Sequence, residues 1–415
     1  MKIIKKAILL VCDGLGDRPQ KAYNNKTPLE YAHKPNLNNL AENSECGIMD
    51  VISAGRCVGS DTGHLALLGY DPYKIYTGRG PFEALGIGME VQKGDVAFRC
   101  NFSTVDENLI VKDRRAGRIE KGTKELAASL NELEINGIKC LVKESVAHRA
   151  ALVLRGDNLS SNISDADPHN IGEKIWTVQP LDESESAKKT AELVNEFVQK
   201  SYQILKEHPV NLERIKNNLP PANIILPRGA GLAPKIKSFE KQYKIKGGCL
   251  VEVGLLKGLA KYLEMDLFES YGATGGLDTD LNEMSKTAIK SLEKVDFLLW
   301  NIKGCDVAGH DGDFKAKVQM VEKIDLMIGD FIKKAENKFK DMVLVVTADH
   351  STPVSVKDHS GDAVPIMFYG SVVRSDDIGE FSERSCAKGG AGRIKGTDLM
   401  VMITNLMGAQ EKFGA

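Results

Sequence analysis

Four short apolar runs stand out along the chain, and each gives way within two positions to a polar residue or glycine. They occupy Ala7–Cys12, Phe297–Ile302, residues 342–347 and Val364–Tyr369. Runs of this length that are rich in Val, Ile and Leu are typical of strands buried on both faces. The pattern therefore predicts a mainly parallel sheet.

Two longer stretches repeat apolar residues every three or four positions and place charged residues elsewhere. They span residues 184–208 and 313–334. This spacing predicts amphipathic helices, and Pro209 is expected to end the first of them. Buried strands that alternate with helices predict an α/β fold with a doubly wound, mainly parallel sheet as its core.

The middle of the chain has a different pattern, in which short segments alternate apolar and polar side chains as in a mixed α+β unit. Pro220 and Pro221 then interrupt the chain before its next apolar run. We expect residues 91–219 to form a smaller α+β domain, inserted into a core built from residues 1–90 and 220–415.

The overall charge is close to neutral, since 55 Lys and Arg stand against 57 Asp and Glu in 415 residues. Nucleic acids and anionic membranes usually require a basic face, so the composition argues against both partners. The eight cysteines include no CxxC spacing, which argues against a disulfide framework or a thiolate zinc site. No apolar run is long enough for a transmembrane helix or a secretory signal. We therefore expect a soluble, cytoplasmic protein.

Aspartate and histidine residues follow three of the predicted strands, and a further histidine lies in the loop after the last aspartate. Ligands of an open α/β sheet bind at the carboxyl ends of its strands, so we expect these side chains at one common edge. Carboxylates and imidazoles without cysteine suit two divalent cations such as Mn²⁺, Zn²⁺ or Co²⁺. The candidate ligands are Asp13, Asp306, His310, Asp349, His350 and His359.

Each of these residues also has a purely structural interpretation. Asp13 alone would more often cap a helix, and the spacing of Asp306 and His310 alone would more often be a surface pair. Ser60, which follows Gly59 and precedes a helical stretch, would alone be interpreted as a cap. Beside a two-metal site its hydroxyl is instead a candidate nucleophile, because metal coordination lowers the pKa of an O–H group.

Clustered arginines are the second chemical signal. A planar guanidinium binds carboxylate or phosphate through two hydrogen bonds, so a cluster facing a metal site suggests a small polyanionic substrate. Any one of these arginines alone would more often form a surface salt bridge. The candidates are Arg99, Arg114, Arg115, Arg118, Arg149, Arg155 and Arg228.

Five segments are specific enough to compare with known families. They are Gly59-Ser-Asp-Thr-Gly-His-Leu-Ala-Leu-Leu-Gly-Tyr-Asp-Pro, Tyr76-Thr-Gly-Arg-Gly-Pro-Phe-Glu-Ala, Phe98-Arg-Cys-Asn-Phe, Asp113-Arg-Arg-Ala-Gly-Arg and Thr347-Ala-Asp-His-Ser-Thr-Pro. Together they resemble the archaeal type of cofactor-independent (2,3-bisphosphoglycerate-independent) phosphoglycerate mutase, a family of the alkaline phosphatase superfamily. The resemblance covers nearly the whole chain and implies an alkaline-phosphatase-like fold.

The resemblance also implies roles for individual residues. The nucleophile falls on Ser60, which would become phosphoserine during turnover. One metal would bind Asp13, Ser60, Asp349 and His350, and the other would bind Asp306, His310 and His359. Asn101 stands in the place of a histidine that the longer bacterial relatives use. The implied substrate contacts are Arg99, Asn101, Asp113, Arg114, Arg115, Arg118, His148, Arg149, Arg155 and Arg228.

The activity implied by the resemblance is that of an isomerase which interconverts 2- and 3-phosphoglycerate in glycolysis and gluconeogenesis without 2,3-bisphosphoglycerate. The implied cofactors are two divalent metal ions, with Mn²⁺ as the first expectation and Co²⁺, Zn²⁺ or Mg²⁺ as alternatives. A phosphatase, or a homoserine-kinase-like phosphotransferase, would keep the metals and lose the reorientation of glycerate. A catalytically silent binding protein is a further alternative, and the complete set of seven ligand residues argues against it.

Overall fold

The computed structural model divides into two compact units. The core unit comprises Met1–Lys74 and Lys237–Ala415, and the second unit comprises Ile75–Ile236. Among the described residues, no helix combines the length and the apolar character that crossing a bilayer requires. The structure describes residues 5–233, 236–410, 412 and 414.

Strands and helices are numbered in chain order. The strands are β1 (Ala7–Cys12), β2 (Ser44–Asp50), β3 (Val96–Val105), β4 (Val111–Asp113), β5 (Leu133–Ile135), β6 (Ile138–Glu144), β7 (Arg149–Arg155), β8 (Ile224–Leu232), β9 (Gly247–Leu250), β10 (Asp266–Phe268), β11 (Phe297–Ile302), β12 (Val343–Thr347), β13 (Val364–Tyr369) and β14 (Gly392–Lys395). The helices are α1 (Pro28–Tyr31), α2 (Pro35–Glu42), α3 (Ser60–Leu67), α4 (Pro72–Ile75), α5 (Gly80–Gly86), α6 (Thr123–Leu130), α7 (Glu185–Lys206), α8 (Pro209–Lys216), α9 (Phe239–Tyr243), α10 (Gly254–Tyr262), α11 (Leu281–Leu292), α12 (Gly304–Asp311), α13 (Phe314–Lys338), α14 (Glu383–Cys386) and α15 (Gly396–Leu406), and a 3₁₀ helix spans Lys21–Tyr23.

The core unit is built on a mainly parallel sheet with the strand order β10-β9-β11-β1-β12-β13-β2-β14. Neighbouring strands from β10 to β12 run parallel, whereas β13 runs antiparallel to both β12 and β2. The helices pack in two groups, in which α13 contacts α1, α2, α11 and α12, while α3 contacts α10 and α15. The predicted α/β core with a mainly parallel sheet is therefore confirmed.

The predicted elements of the core lie close to the observed ones, and one helix end differs. β1 and β11 are buried at every position. α13 begins after Asp313, whose carboxylate accepts a hydrogen bond from the N–H of Ala316 at 3.0 Å. The expectation that Pro209 ends a helix was wrong in detail, because α7 already ends at Lys206 and Pro209 is the first residue of α8. Proline suits that position because the first turn of a helix does not use its N–H groups.

The second unit is an antiparallel sheet with helices packed on it. Its strand order is β4-β3-β7-β6-β5, and β8 also pairs with β3. Even-numbered residues of β3, such as Phe98, enter a core that includes residues of α6 and α7. Odd-numbered residues such as Ala97 pack with Ala84 of α5 and Val153 of β7 on the other face. A separate, smaller α+β unit, as predicted, is confirmed.

The position of β8 makes the observed units differ from the predicted division of the chain. The sequence placed residues 1–90 and 220–415 with the core, whereas the second unit begins at Ile75 and includes β8, which pairs with β3 from Ile224 to Leu232. Pro220 and Pro221 therefore precede a strand of the second unit. An apolar run does not indicate which sheet supplies its partner, because the pairing residues are distant in sequence.

A buried ion pair connects the loops that follow β1 and β12. Lys317 of α13 lies 2.8 Å from Asp17 Oδ2, and both side chains are fully buried. Its ammonium also donates to the carbonyl oxygens of Gly16 and Thr352, at 3.2 and 2.9 Å. Asp17 in turn accepts a hydrogen bond from the N–H of Val354 at 3.1 Å. α13 thus fixes both loops through a lysine on the same helix face as its apolar residues.

We predict that Lys317→Met lowers the free energy of unfolding by about 3–5 kcal/mol, because the Asp17 carboxylate is left buried without its cation. The measurement is the midpoint of urea unfolding. Lys315→Met, at an exposed position of the same helix, is the control and should change the midpoint little. Equal midpoints for the two variants would show that the ion pair does not stabilise the fold.

Candidate metal centre and arginine cluster

Three neighbouring strands of the core unit position the candidate ligands. β11, β1 and β12 are adjacent and parallel, so their carboxyl ends lie at the same edge of the sheet. Asp13 directly follows β1, Asp306 lies on α12 just after β11, and Asp349 follows β12. The chain after Asp349 brings His350 and His359 to the same edge. The sequence signal for these residues was a polar side chain that follows a buried strand. The structure places the side chains with this signal close together.

The first ligand group contains Asp13, Asp349 and His350, which are all buried and whose ligand atoms lie within 4.8 Å of one another. His350 Nε2 is 3.5 Å from Asp13 Oδ1 and 3.3 Å from Asp349 Oδ2. The Ser60 hydroxyl lies 3.2 Å from the same nitrogen. The structure therefore brings the candidate nucleophile to the residues predicted for one metal.

The second ligand group contains Asp306, His310 and His359. Asp306 Oδ1 is 3.5 Å from His310 Nε2 and 3.4 Å from His359 Nε2, and the two nitrogens are 3.2 Å apart. Asp358, which was not selected from the sequence, also lies within metal-binding reach of both histidines. The ring of His359 stacks on that of His350 with centroids 3.6 Å apart, so the two ligand groups are adjacent.

Hydrogen bonds determine which ring nitrogens of the second group can bind a metal. His310 Nδ1 lies 3.1 Å from the carbonyl oxygen of Lys357, and His359 Nδ1 lies 2.8 Å from that of Val58. A carbonyl oxygen only accepts hydrogen bonds, so in the neutral rings each Nδ1 has the proton and each Nε2 presents a lone pair. Two lone pairs and a carboxylate oxygen thus face one another. A divalent cation satisfies all three.

The histidine of the first group is oriented in the same way. His350 Nδ1 lies 3.1 Å from the hydroxyl of Thr352, which itself donates to Asp306 Oδ1 at 2.7 Å. His350 Nδ1 is therefore the donor, and its Nε2 presents a lone pair to Asp13 and Asp349. Among the described residues, Asp349 Oδ2 is buried without a hydrogen-bond partner. This set of oxygen and imidazole donors fits a divalent cation.

The titratable groups of the site have strongly perturbed pKa values. Burial, and then the neighbouring Asp349, raises the pKa of Asp13 to about 7. Burial opposes ionisation of Asp306 as well, but the adjacent His359 and Lys303 hold the pKa of that carboxyl well below its usual range. Burial lowers the pKa of His350 to about 3, so this ring is neutral at physiological pH. A cation bound at Asp13 would displace a proton there.

Neither Ser60 nor Asp13 caps a helix. Ser60 is the first residue of α3, and Gly59 occupies the N-cap position. The chain turns at Asp13, and its carboxylate accepts a hydrogen bond from Asn301 Nδ2 at 3.0 Å. The structural interpretations that the sequence left open for these two residues therefore do not apply.

Three polar residues of the site were not selected from the sequence. The Lys303 ammonium lies 2.8 Å from Asp13 Oδ1. His64 of α3 donates from Nδ1 to the carbonyl oxygen of Ser60 at 2.7 Å, and Asn301 Nδ2 lies 3.2 Å from His64 Nε2. Lys303 directly follows a buried strand, which is the sequence pattern that pointed to the aspartates. His64 was visible as an imidazole within an apolar helical stretch.

The predicted substrate residues all lie in the second unit, where three arginines form a cluster on one sheet. Arg99 of β3 is opposite Arg228 of β8, and Asn101 of β3 is opposite Arg149 of β7. Burial, and then the neighbouring Arg228, lowers the pKa of Arg99 to about 10. Like charges on opposing residues destabilise a sheet, so this arginine cluster (Arg99, Arg149 and Arg228) favours the binding of an anion.

The adjacent residues Asp113 and Arg114 have separate partners. Asp113 accepts hydrogen bonds from the N–H groups of Arg115 and Gly117, at 2.7 and 2.9 Å, and so shapes its own turn. Arg114 binds the buried carboxylate of Asp167 through Nε and Nη2, at 3.1 and 2.7 Å. Asp167, which was not selected from the sequence, therefore orients Arg114.

Arg155 is already engaged in a structural contact. Its Nη2 lies 2.8 Å from the buried Asp95 carboxylate. It is also separated from Arg149 by the length of β7, about 20 Å for six strand residues. Arg155 therefore has a protein partner in this structure, whereas Arg149 is exposed at the start of the same strand. Arg115 and Arg118 are exposed in the turn after β4.

Two histidines lie beside arginines of the second unit. Burial, and then the neighbouring Arg149, lowers the pKa of His148 to about 4, so its ring is neutral. His169, which was not selected from the sequence, lies 3.3 Å from Arg114 Nη2 and has a φ of 63°. A residue with a side chain rarely adopts this left-handed conformation outside turns and functional sites. No sequence pattern indicated His169, because it is distant from Arg114 along the chain.

Comparison with known families gives two matches. Residues 41–211 match the profile of 2,3-bisphosphoglycerate-independent phosphoglycerate mutase, and residues 171–396 match that of alkaline phosphatase. The chain is 54% identical over 413 residues to the 2,3-bisphosphoglycerate-independent phosphoglycerate mutase of Methanosphaera stadtmanae. That alignment covers 99% of this chain and 100% of the relative.

Two solved structures are similar over almost the whole chain. A protein from Pyrococcus horikoshii superposes with a TM-score of 0.86 and 37% identity, covering 100% of both chains. The cofactor-independent phosphoglycerate mutase from Thermoplasma acidophilum superposes with a TM-score of 0.74 and 39% identity, covering 97% of this chain and 100% of that one. The similarity therefore includes residues of both units.

We predict that Mn²⁺ added to chelator-treated protein raises its melting temperature, and does so less at about pH 5.5 than at about pH 7.5. A ligand present at 100 times its Kd adds about 2.7 kcal/mol of stability. Asp13 has a pKa of about 7, and Asp306 raises the pKa of His359 although burial opposes this. Both groups gain a proton as the pH falls and must lose it to bind a metal, so binding weakens in acid. Thermal unfolding followed by circular dichroism measures the shift, and equal shifts at both pH values would contradict the prediction.

Proposed function

This chain belongs to the 2,3-bisphosphoglycerate-independent phosphoglycerate mutase family of isomerases, and we propose that it interconverts 2- and 3-phosphoglycerate without added bisphosphoglycerate. The observation that supports this most directly is the position of Ser60. Its hydroxyl is buried beside the first ligand group, 3.2 Å from His350 Nε2. A nucleophile, metal ligands and an anion-binding arginine cluster are the parts that phosphoryl transfer requires.

We assign two divalent cations to this reaction, with Mn²⁺ as the first candidate and Co²⁺, Zn²⁺ or Mg²⁺ as alternatives. When bound, such ions offset the charge of phosphoryl oxygens and lower the pKa of a serine hydroxyl. The facing lone pairs of the two ligand groups support this assignment. One ion would be held by Asp13, Ser60, Asp349 and His350, and the other by Asp306, His310 and His359.

Ser60 is the nucleophile in this proposal. Its Oγ forms a bond to the phosphorus of phosphoglycerate, while the bond from phosphorus to the glycerate oxygen breaks and leaves its electron pair on that oxygen. The glycerate oxygen takes up one proton, and the Ser60 hydroxyl gives one up. The other hydroxyl of glycerate then attacks the phosphoserine, which returns the phosphoryl group and restores Ser60. The hydrogen bond from His64 to the Ser60 carbonyl oxygen supports the position of the nucleophile.

We further propose that the arginine cluster binds the carboxylate and phosphate groups of the substrate. Arg99 and Arg228 are opposite one another on β3 and β8, and a bound anion would stabilise this pair of like charges. Asn101 and His148 flank the cluster and could donate or accept hydrogen bonds there. Arg114 would contribute charge from its fixed place on Asp167.

The cellular setting that we propose is the cytoplasm, where the reaction would serve glycolysis and gluconeogenesis. All eight cysteines are free thiols in the structure. Free thiols are typical of reducing compartments, which supports this assignment.

A metal-dependent phosphatase and a homoserine-kinase-like phosphotransferase are the alternatives within the superfamily. Both would use the same ligand groups and the same serine, and they differ in the acceptor of the phosphoryl group. A simple phosphatase has no need to recognise a substrate carboxylate. The arginine cluster therefore favours the mutase.

We predict that the Mn²⁺-loaded protein converts 3-phosphoglycerate to 2-phosphoglycerate in an enolase-coupled assay without bisphosphoglycerate. Ser60→Ala should lower kcat by several orders of magnitude, on the order of 10⁴ or more, because no comparable nucleophile replaces the hydroxyl. Excess chelator should abolish the activity, and Mn²⁺ should restore it.

Labelled substrates separate the mutase from its alternatives. Phosphoglycerate labelled with ¹⁸O in the non-bridging oxygens of its phosphoryl group is mixed with phosphoglycerate labelled with ¹³C, and the product is analysed by mass spectrometry. Retention of the original pairing is expected if the phosphoryl group returns to the same glycerate. Steady release of inorganic phosphate, or scrambled labels, would contradict the proposed reaction even if Ser60 proved essential.

We predict that Arg149→Ala and Arg155→Ala have different effects. Arg149→Ala should raise KM for phosphoglycerate by about tenfold or more, because a guanidinium that binds an anion is lost. Arg155→Ala should mainly lower stability, because Asp95 loses its partner. Steady-state kinetics and urea unfolding of both variants make the comparison. A similar rise in KM for both would contradict the structural role given to Arg155.

A further inference from the structure

A lysine lies between the two ligand groups of the candidate metal centre. The Lys303 ammonium is 2.8 Å from Asp13 Oδ1 of the first group and 2.8 Å from Asp306 Oδ2 of the second. It also lies 3.4 Å from the Oγ of Ser60. Only 16% of its side chain is exposed. One cation of the chain therefore contacts both groups and the candidate nucleophile.

The backbone of Lys303 is held independently of these contacts. Its N–H donates to Glu252 Oε2 at 2.8 Å. The other carboxylate oxygen of Glu252 accepts hydrogen bonds from the N–H of Gly275, at 3.2 Å, and from the hydroxyl of Thr279, at 2.5 Å. The residue follows β11 directly and precedes α12. Its side chain thus extends into the site from a fixed position.

Charge balance argues against a role restricted to neutralising the carboxylates. Asp13, Asp306 and Asp349, together with Asp358 beside the second group, contribute four negative charges, which two divalent cations alone would balance. An ammonium between the groups would then be repelled by the cations, unless a further anion enters. A phosphoryl group attached to Ser60 Oγ is such an anion, and its oxygens would lie within reach of Lys303. If Lys303 served only to neutralise the carboxylates, it would have no role once metals bind.

We propose that Lys303 is a further catalytic residue, whose ammonium binds the phosphoryl group transferred through Ser60. When no phosphoryl group is bound, the same ammonium competes with divalent cations for Asp13 and Asp306. This rests on the function proposed above. Lys303 forms and breaks no covalent bond and donates no proton in this role. It stabilises the negative charge of the phosphoryl oxygens while the bonds to phosphorus change.

The proposal requires two effects of opposite sign when the ammonium is removed. Lys303→Met preserves most of the side-chain length and should bind Mn²⁺ about tenfold more tightly or better, because a repelling charge is gone. The same variant should lose kcat by about 10²-fold or more, because phosphoryl charge is less well stabilised. A structural residue would not be expected to increase metal affinity while turnover falls.

The experiment titrates Mn²⁺ into chelator-treated wild type, Lys303→Met, Lys303→Gln and the control Lys315→Met, and follows free Mn²⁺ by electron paramagnetic resonance. The Kd of inorganic phosphate for the Mn²⁺-loaded proteins is then measured by calorimetry, followed by kcat in the coupled assay. Both Lys303 variants should show tighter Mn²⁺ binding, weaker phosphate binding and lower kcat. The control should match the wild type in all three.

Unchanged or weaker Mn²⁺ binding in both Lys303 variants would overturn the proposal, as would unchanged phosphate binding. Circular dichroism identifies a variant that fails to fold, and the other variant then decides the result. A wild type without mutase turnover would refute the proposed function instead. The Mn²⁺ and phosphate titrations need no turnover and would still test the place of Lys303.

Discussion

The burial of three carboxylates at one edge of the core sheet is the constraint on which the site depends. Asp13, Asp306 and Asp349 end up together because β1, β11 and β12 are adjacent and parallel. Burial raises the pKa of Asp13 to about 7, so its charge is unfavourable even with the Lys303 ammonium 2.8 Å away. Each of the three ligand histidines, His310, His350 and His359, is held through Nδ1, so that its Nε2 faces a carboxylate. These features are explained together by a site built for divalent cations.

The candidate binding residues of the two units carry opposite charges. The core unit holds the negatively charged ligand groups. The buried ion pair of Lys317 and Asp17 connects the two loops that carry these ligands. The second unit gathers positive groups on one face of an antiparallel sheet, where Arg99 and Arg228 oppose one another. Metals would stabilise the first arrangement and an anionic substrate the second.

Sequence patterns revealed the features that are encoded locally. A polar residue directly behind a buried strand correctly indicated where Asp13 and Asp349 come together. The same rule applies to Lys303, which directly follows β11. Features that depend on distant pairing were not visible, among them the contact of Arg114 with Asp167 and the membership of β8 in the second unit. The ion pair of Arg155 with Asp95 was not visible either, because Asp95 is distant from Arg155 in sequence.

The central claim is that the two ligand groups of the core unit bind two divalent cations. Anomalous diffraction at the manganese edge, from crystals grown with Mn²⁺, tests it most directly. Two anomalous peaks are expected, one among Asp13, Asp349 and His350 and the other among Asp306, His310 and His359. A single peak, or peaks outside these groups, would contradict the two-metal assignment.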